Sequence, residues 1–148
     1  RIVNNIKLGY LDTMKSFNAL QGHIYYFKPE EFAKMLENFS LQTIYGLEYA
    51  AEMYNMYKYR EYTFEEFIKE LNDIHSKTEV EYEKIKTENL LKASKKLNQL
   101  FNKGFGICIA KDFYMDRPSS KISNYLLNFV KDYVVAAKAL IELKNYLD

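Results

Sequence analysis

The sequence predicts an all-α protein, a four-helix bundle, from its lack of helix breakers and its apolar spacing. Only two prolines and five glycines occur in 148 residues, so long stretches contain no helix-breaking residue. Within those stretches, apolar residues recur at the three- and four-residue spacing of amphipathic helices. A chain of this length with 48% hydrophobic residues suits one packed domain, which we expect to span residues 1–148.

The first half of the chain predicts two long helices joined by a short helical piece. Helix 1 is expected from near the start to about Tyr26, with an apolar stripe at Ile2, Ile6, Tyr10, Thr13, Phe17, Leu20 and Ile24. Pro29 then falls in the first turn of a short helix, where its missing N–H costs nothing. Ser40 is the expected N-cap of helix 2, over residues 41–57.

The second half predicts two more long helices separated by a connector. Thr63 and Glu66 form a capping-box pattern, so helix 3 is expected to start there and to keep helical character up to Gly104. The two glycines in residues 104–109 predict a loop that connects helices 3 and 4. A phosphate-binding loop is disfavoured, because no Gly-Lys-Ser follows the glycines and no strand–turn–helix unit surrounds them. Helix 4 follows, with an apolar side between residues 122 and 147.

Composition and charge disfavour several classes of partner. The 21 basic and 20 acidic side chains nearly cancel, whereas a nucleic-acid-binding protein normally carries a basic surplus. Apolar runs fall short of the roughly 18 residues needed to span a bilayer, which argues against a membrane partner. The single cysteine, Cys108, favours a cytoplasmic location. The chain begins with Arg1, so a preceding segment such as a cleaved leader stays open.

Two short runs carry a family resemblance. Helix 2 opens with Phe-Ser-Leu-Gln-Thr-Ile at residues 39–44, and residues 126–131, Leu-Leu-Asn-Phe-Val-Lys, precede the middle of helix 4. With these runs and its length, the chain resembles the DinB-like (DinB/YfiT) superfamily of four-helix bundles. The resemblance implies an up-down-down-up topology with a long connection between helices 2 and 3. It also implies metal-binding histidines at three positions that here read Leu47, Asp132 and Ala136.

These substitutions favour a bundle without the usual metal site. A catalytic divalent metal needs about three protein ligands and an open position for water, and leucine and alanine offer no ligand atom. We therefore expect no cofactor, and a small-ligand-binding or dimeric interaction module. The alternative is a metal-dependent hydrolase or thiol-dependent transferase, as the resemblance implies, with zinc or nickel on relocated ligands such as Glu48, His75 and Asp132.

Glu48 and Glu52 are four residues apart and share one face of helix 2, as paired carboxylates do in ferritin-like metal sites. Two registers are open. A core centred on Leu47, Ala50 and Tyr54 turns both acids to solvent, and the resemblance favours this register. A core centred on Leu41, Ile44 and Tyr45 turns both inward.

His75 lies within the apolar stripe of helix 3. It is either a general base paired with Asp132 or Tyr133 from helix 4, or a hydrogen-bonded core histidine, and the second interpretation is favoured. His23 lies near the edge of the helix 1 stripe, which indicates a boundary position. Cys108 stands between two isoleucines without a visible base, as expected of a small buried apolar residue rather than a nucleophile.

The expected partners are a second copy of the chain and a small apolar ligand within the bundle. Tyr25, Tyr26 and Phe27 form an aromatic run that is predicted to contribute to an exposed dimer face.

Overall fold

The structure, a computed structural model, describes residues 1–88, 104–116 and 131–148. Most of them lie in six helices: α1 (Ile2–Ser16), α2 (Pro29–Asn38), α3 (Leu41–Met53), α4 (Phe64–Glu88), α5 (Gly106–Asp116) and α6 (Lys131–Leu147). Two short strands, β1 (Tyr26–Phe27) and β2 (Glu61–Tyr62), pair in parallel. The mostly helical character predicted from the sequence is confirmed. Among the described helices, none is both long enough and apolar enough to cross a membrane.

The helix starts predicted at Pro29, Ser40 and Thr63 are confirmed by the hydrogen bonds and helix bounds of the structure. Pro29 opens α2. The Ser40 hydroxyl accepts the backbone N–H of Thr43 at 3.1 Å, as an N-cap does. Thr63 Oγ1 accepts the N–H of Glu66 at 3.2 Å, while Glu66 Oε2 accepts the N–H of Thr63 at 3.1 Å, which completes the capping box.

The prediction that helix 1 reaches Tyr26 is wrong, because α1 ends at Ser16. Asn18 adopts a positive φ of 57° just beyond the helix, and Gly22 adopts one of 113°. Gln21 and Phe27 then exchange two backbone hydrogen bonds, so the chain folds back instead of continuing as a helix. Asparagine and glycine adopt left-handed φ values more readily than other residues, so Asn18 and Gly22 permit the turn that ends the helix.

The stripe predicted for the buried side of helix 1 is largely exposed. Ile2, Ile6, Tyr10 and Phe17 are between 59% and 78% exposed. The opposite side of α1 packs on the body of the protein through Leu11, which is 5% exposed. Periodicity identified an apolar face correctly, but α1 has two such faces and the other one docks.

The prediction of a loop at residues 104–109 is wrong, because α5 begins at Gly106. Phe105 and the four residues from Ile107 to Ala110 are almost completely buried, so the first turn of this helix is apolar on every side, and its polar residues Lys111 and Asp112 follow only in the next turn. A side chain on Gly106 would collide with the ring of Tyr133, which explains the glycine at this position. The helical predictions for residues 89–103 and 117–130 lie outside the described residues.

The core is centred on the contact between α3 and α6, and α5 packs against α6. Glycine makes the approach of α3 to α6 possible, since a Cβ on Gly46 would lie 2.7 Å from the Cβ of Ala139. Fully buried residues of these two helices include Ile44, Leu47, Ala50, Ala136 and Ala137. A separate apolar cluster joins α4 to α5 through Tyr82, Phe105, Cys108 and Ile109.

Candidate functional site

A cavity of about 510 Å³ lies between the second half of α4 and α5. Residues of both helices line it. Those from α4 are Glu79, Val80, Tyr82, Glu83 and Lys84, and those from α5 are Cys108, Lys111, Asp112 and Met115. Among the residues that the structure describes, three carboxylates against two lysines give this lining one excess negative charge. The remaining walls are apolar or aromatic, which is typical of sites for small organic molecules.

Two side-chain contacts connect α4 to α5 across this cavity. The Lys111 ammonium donates to Glu79 Oε1, and Lys111 is mostly buried while Glu79 is one-third exposed. The Tyr82 hydroxyl donates to Asp112 Oδ2 at 2.9 Å. The cavity therefore has charged groups with fixed partners on its wall, as an orienting site for a polar ligand group requires.

His75 lies one helical turn before Glu79 and is only 5% exposed. The Tyr54 oxygen is 2.7 Å from His75 Nδ1. Burial, together with the neighbouring Cys108 sulfur, raises the pKa of Tyr54, so its hydroxyl keeps its proton. The other ring nitrogen of His75, Nε2, lies 3.3 Å from Glu79 Oε1 without hydrogen-bond geometry.

The ionisation of two cavity residues follows from these contacts. The His75 imidazole and then the Lys111 ammonium lower the pKa of Glu79 to about 2, so Glu79 is ionised at neutral pH. Burial raises the pKa of Cys108 to about 12. The Cys108 thiol is therefore protonated and unsuited to nucleophilic attack, and its burial agrees with the interpretation as a small apolar residue.

Glu48 is fully buried, so its interpretation as a solvated residue is wrong, whereas Glu52 is exposed as predicted. The Glu48 carboxylate accepts hydrogen bonds from the backbone N–H groups of His23, Ile24 and Tyr25 at 2.8–3.0 Å. Burial raises the pKa of Glu48, and the three N–H groups oppose that rise. Because its partners are backbone groups of a turn 25 residues away, spacing along helix 2 did not reveal them.

The positions assigned to family ligands are placed on two helices that pack together. Leu47 and Ala136 are fully buried in the core, on α3 and α6. Asp132 is exposed in the first turn of α6. Tyr133 lies against Gly106, while the contacts of His75 described above come from Tyr54 and Glu79 rather than from the predicted partners on α6.

Within residues 1–88, 104–116 and 131–148, no three histidine, cysteine, aspartate or glutamate side chains are grouped so that they could hold a metal ion. Two of the alternative ligands considered above already have hydrogen-bond partners. Glu48 accepts backbone N–H groups, and His75 Nδ1 is hydrogen-bonded to the Tyr54 hydroxyl.

The aromatic run predicted to form a dimer face is buried. Tyr25 and Phe27 are inaccessible and Tyr26 is 3% exposed, so this assignment of the dimer face is wrong. The rings of Tyr25 and Phe27 pack edge-on against Phe67 at centroid distances of 5.3 and 5.1 Å. His23 is exposed beside Tyr45, with 5.0 Å between the ring centroids.

Comparisons of the chain with protein-family models, with curated proteins and with solved structures found no significant match. We therefore infer function from the geometry of the site alone.

Proposed function

We propose that the protein is a small-ligand-binding module and that its site is the cavity between α4 and α5. The observation that carries this proposal is a cavity of about 510 Å³ with apolar walls and a fixed set of charged groups. That volume is within the range of small-molecule sites, roughly 300–1,000 Å³. Val80, Met115 and the ring of Tyr82 offer apolar contact, and the polar groups give orientation.

The charge of the lining favours an organic cation with an apolar body, such as an aromatic amine. The carboxylates of Glu79, Glu83 and Asp112 outnumber the lysines, and a partly enclosed cleft concentrates the field of its excess charge. The Tyr82 ring adds an aromatic face that attracts cations.

In this proposal the fold is a DinB-like bundle without the family's metal triad, located in the cytoplasm. Its supports are the close packing of α3 on α6, the buried apolar side chains of Leu47 and Ala136, and the unpaired Cys108. The enzymatic alternative keeps a metal on other residues. Metal analysis of untagged, freshly purified protein separates the two, because stoichiometric zinc or nickel contradicts the metal-free proposal.

The binding proposal is tested with two probes of similar shape and opposite charge, 1-naphthylmethylamine and 1-naphthylacetate. The five methionines of the chain, labelled with ¹³C at their methyl groups, report the place of binding by NMR. We expect the amine to shift the resonance of Met115, which lines the cavity, and to leave that of the core residue Met35 in place. The acetate is expected to bind at least about 5-fold more weakly because of the excess negative charge.

Two matched variants locate the binding. Val80 lines the cavity and is 56% exposed, so Val80→Trp fills part of the volume with little effect on the core. Leu36 is 48% exposed on α2 and serves as control in Leu36→Trp. We expect Val80→Trp to weaken amine binding at least about 10-fold and Leu36→Trp to leave it unchanged. Equal binding by both variants, or shifts elsewhere than at Met115, contradicts the proposed site.

A further inference from the structure

The exposed side of α1 carries a continuous apolar face. Five large residues of this helix and its C-cap, which we call the α1 face, are between 59% and 78% exposed: Ile2, Val3, Ile6, Tyr10 and Phe17. At about 100° per residue they fall within roughly one third of the helix circumference. Leu11, on the opposite side of α1, is buried against the body of the protein. The α1 face therefore points away from the core.

A groove runs beside the α1 face. Its volume is about 520 Å³, and it is lined by Ile6, Lys7, Tyr10, Leu11, Tyr59 and Glu61. Phe17, at 78% exposed, is the most exposed residue of the face and lies near the other end of α1. The same surface thus has a projecting aromatic ring at one end and an apolar recess toward the other.

We propose that the α1 face is a homodimer interface in which two copies of α1 pack antiparallel about a two-fold axis. In such a self-complementary arrangement, residues near one end of the helix meet residues near the other end of the second copy. A two-fold axis at the level of Leu11 and Asp12 brings Phe17 of each copy to the level of Ile6 of the other. Each ring then reaches the groove beside α1, so both recesses are filled at once.

The surface available fits a second copy in size and charge. Fully exposed side chains of this kind present about 150–200 Å² each. At their exposed fractions the five residues present on the order of 600 Å², and the groove walls add to this, so the total approaches the roughly 800 Å² per partner of a standard interface. No charged side chain interrupts the five residues of the face, so two copies meet without opposing like charges. A glycine, Gly9, lies at its edge with open space around it, which permits a close approach of helices.

The interface is tested by sedimentation equilibrium of the full chain. The wild type is expected to have twice its monomer mass of 17.6 kDa at micromolar concentration. We expect Ile6→Glu to raise the dimer dissociation constant at least about 100-fold, because it buries two unpaired charges in the interface, one beneath Phe17 of each copy. The matched control, Leu36→Glu, places the same charge on a similarly exposed apolar residue of α2 and is expected to keep the wild-type constant.

A cross-linking measurement keeps the test independent of folding. Tyr10→Cys and Leu36→Cys each add one exposed thiol, while Cys108 stays buried in both. A short bis-maleimide is expected to link Tyr10→Cys into a dimer and to leave Leu36→Cys as monomer. A monomeric wild type at about 100 µM overturns the proposal and leaves the face to another partner or segment. A dimer that survives Ile6→Glu, or that both glutamate variants dissociate equally, overturns it as well.

Discussion

Two carboxylates, the buried Glu48 and the partly exposed Glu79, are held in different ways. Glu48 is inaccessible and takes its hydrogen bonds from three consecutive backbone N–H groups of a tight turn. Glu79 is partly exposed at the wall of a cavity, and its partners are the side chains of Lys111 and His75. Burial raises the pKa of Glu48, whereas the neighbouring side chains of His75 and Lys111 lower the pKa of Glu79 to about 2.

The contrast distinguishes a structural charge from one that can take part in binding. The four hydrogen bonds from these N–H groups use the acceptor positions of the Glu48 carboxylate. Because the donors belong to the backbone, they cannot move away from Glu48 without unfolding the turn. The partners of Glu79 are side chains rather than backbone groups, and Glu79 and Lys111 both lie beside open volume. We therefore assign Glu48 to the stability of the fold and Glu79 to the cavity.

The largest expected effect is that of Glu48→Ala. It leaves one buried and two partly buried N–H groups without an acceptor, and a buried group left in this way costs about 1–3 kcal/mol. We expect a loss of about 3–5 kcal/mol in the free energy of unfolding, measured by urea denaturation. Glu48→Gln retains one acceptor oxygen and is expected to cost about 1 kcal/mol. Similar losses in both variants would contradict the role assigned to the N–H groups.

A smaller loss is expected from Gly22→Ala in the same turn. Gly22 has a φ of 113°, and an added Cβ would lie 3.1 Å from Glu48 Oε1 and collide with the carbonyl oxygen of Tyr25. Strain and collision together are expected to cost about 2–3 kcal/mol in the free energy of unfolding. Gly9→Ala is the control, since nothing lies within 4 Å of its added Cβ, and it is expected to stabilise α1 slightly. Equal effects would show that the turn does not require glycine.

The two carboxylates are expected to give opposite pH dependence. The lowered pKa of Glu79 makes its contribution to stability complete above about pH 5, and this contribution is lost as the pH falls toward 2. The raised pKa of Glu48 has the reverse sign, so its ionisation costs stability as the pH rises above about 4.5. The stability advantage of wild type over Glu79→Gln should therefore shrink on acidification. On acidification, the free energy of unfolding of wild type should rise relative to that of Glu48→Gln, because the protonated form of Glu48 no longer carries the cost of a buried charge.

The smallest expected effect concerns the thiol of Cys108. With a pKa of about 12, it is almost entirely protonated at pH 8. We expect an aromatic disulfide reagent to modify native protein at least about 100-fold more slowly than protein unfolded in urea. Modification of native protein at the unfolded rate would mean that the α4–α5 wall is open to solvent.

Local signals in the sequence predicted the local parts of this structure. Ser40, Thr63 and Glu66 act over three residues, so their caps could be read directly. The burial of His75 followed from the stripe of α4. The side of α1 that docks, the end of α1 and the burial of Glu48 depend on contacts between distant segments. Helix α5 was missed because its first turn is apolar on every side and begins with a glycine that its neighbour Tyr133 requires.

The most direct test of the contrast is the dissociation constant of 1-naphthylmethylamine for Glu79→Gln and Glu48→Gln, measured side by side by Met115 methyl shifts. Glu79→Gln removes a carboxylate from the cavity wall and leaves Lys111 without its anionic partner. We predict binding at least about 3-fold weaker for this variant and unchanged within about 2-fold for Glu48→Gln. Unchanged binding in Glu79→Gln, or equal weakening in both, would contradict the assignment of the cavity as the binding site.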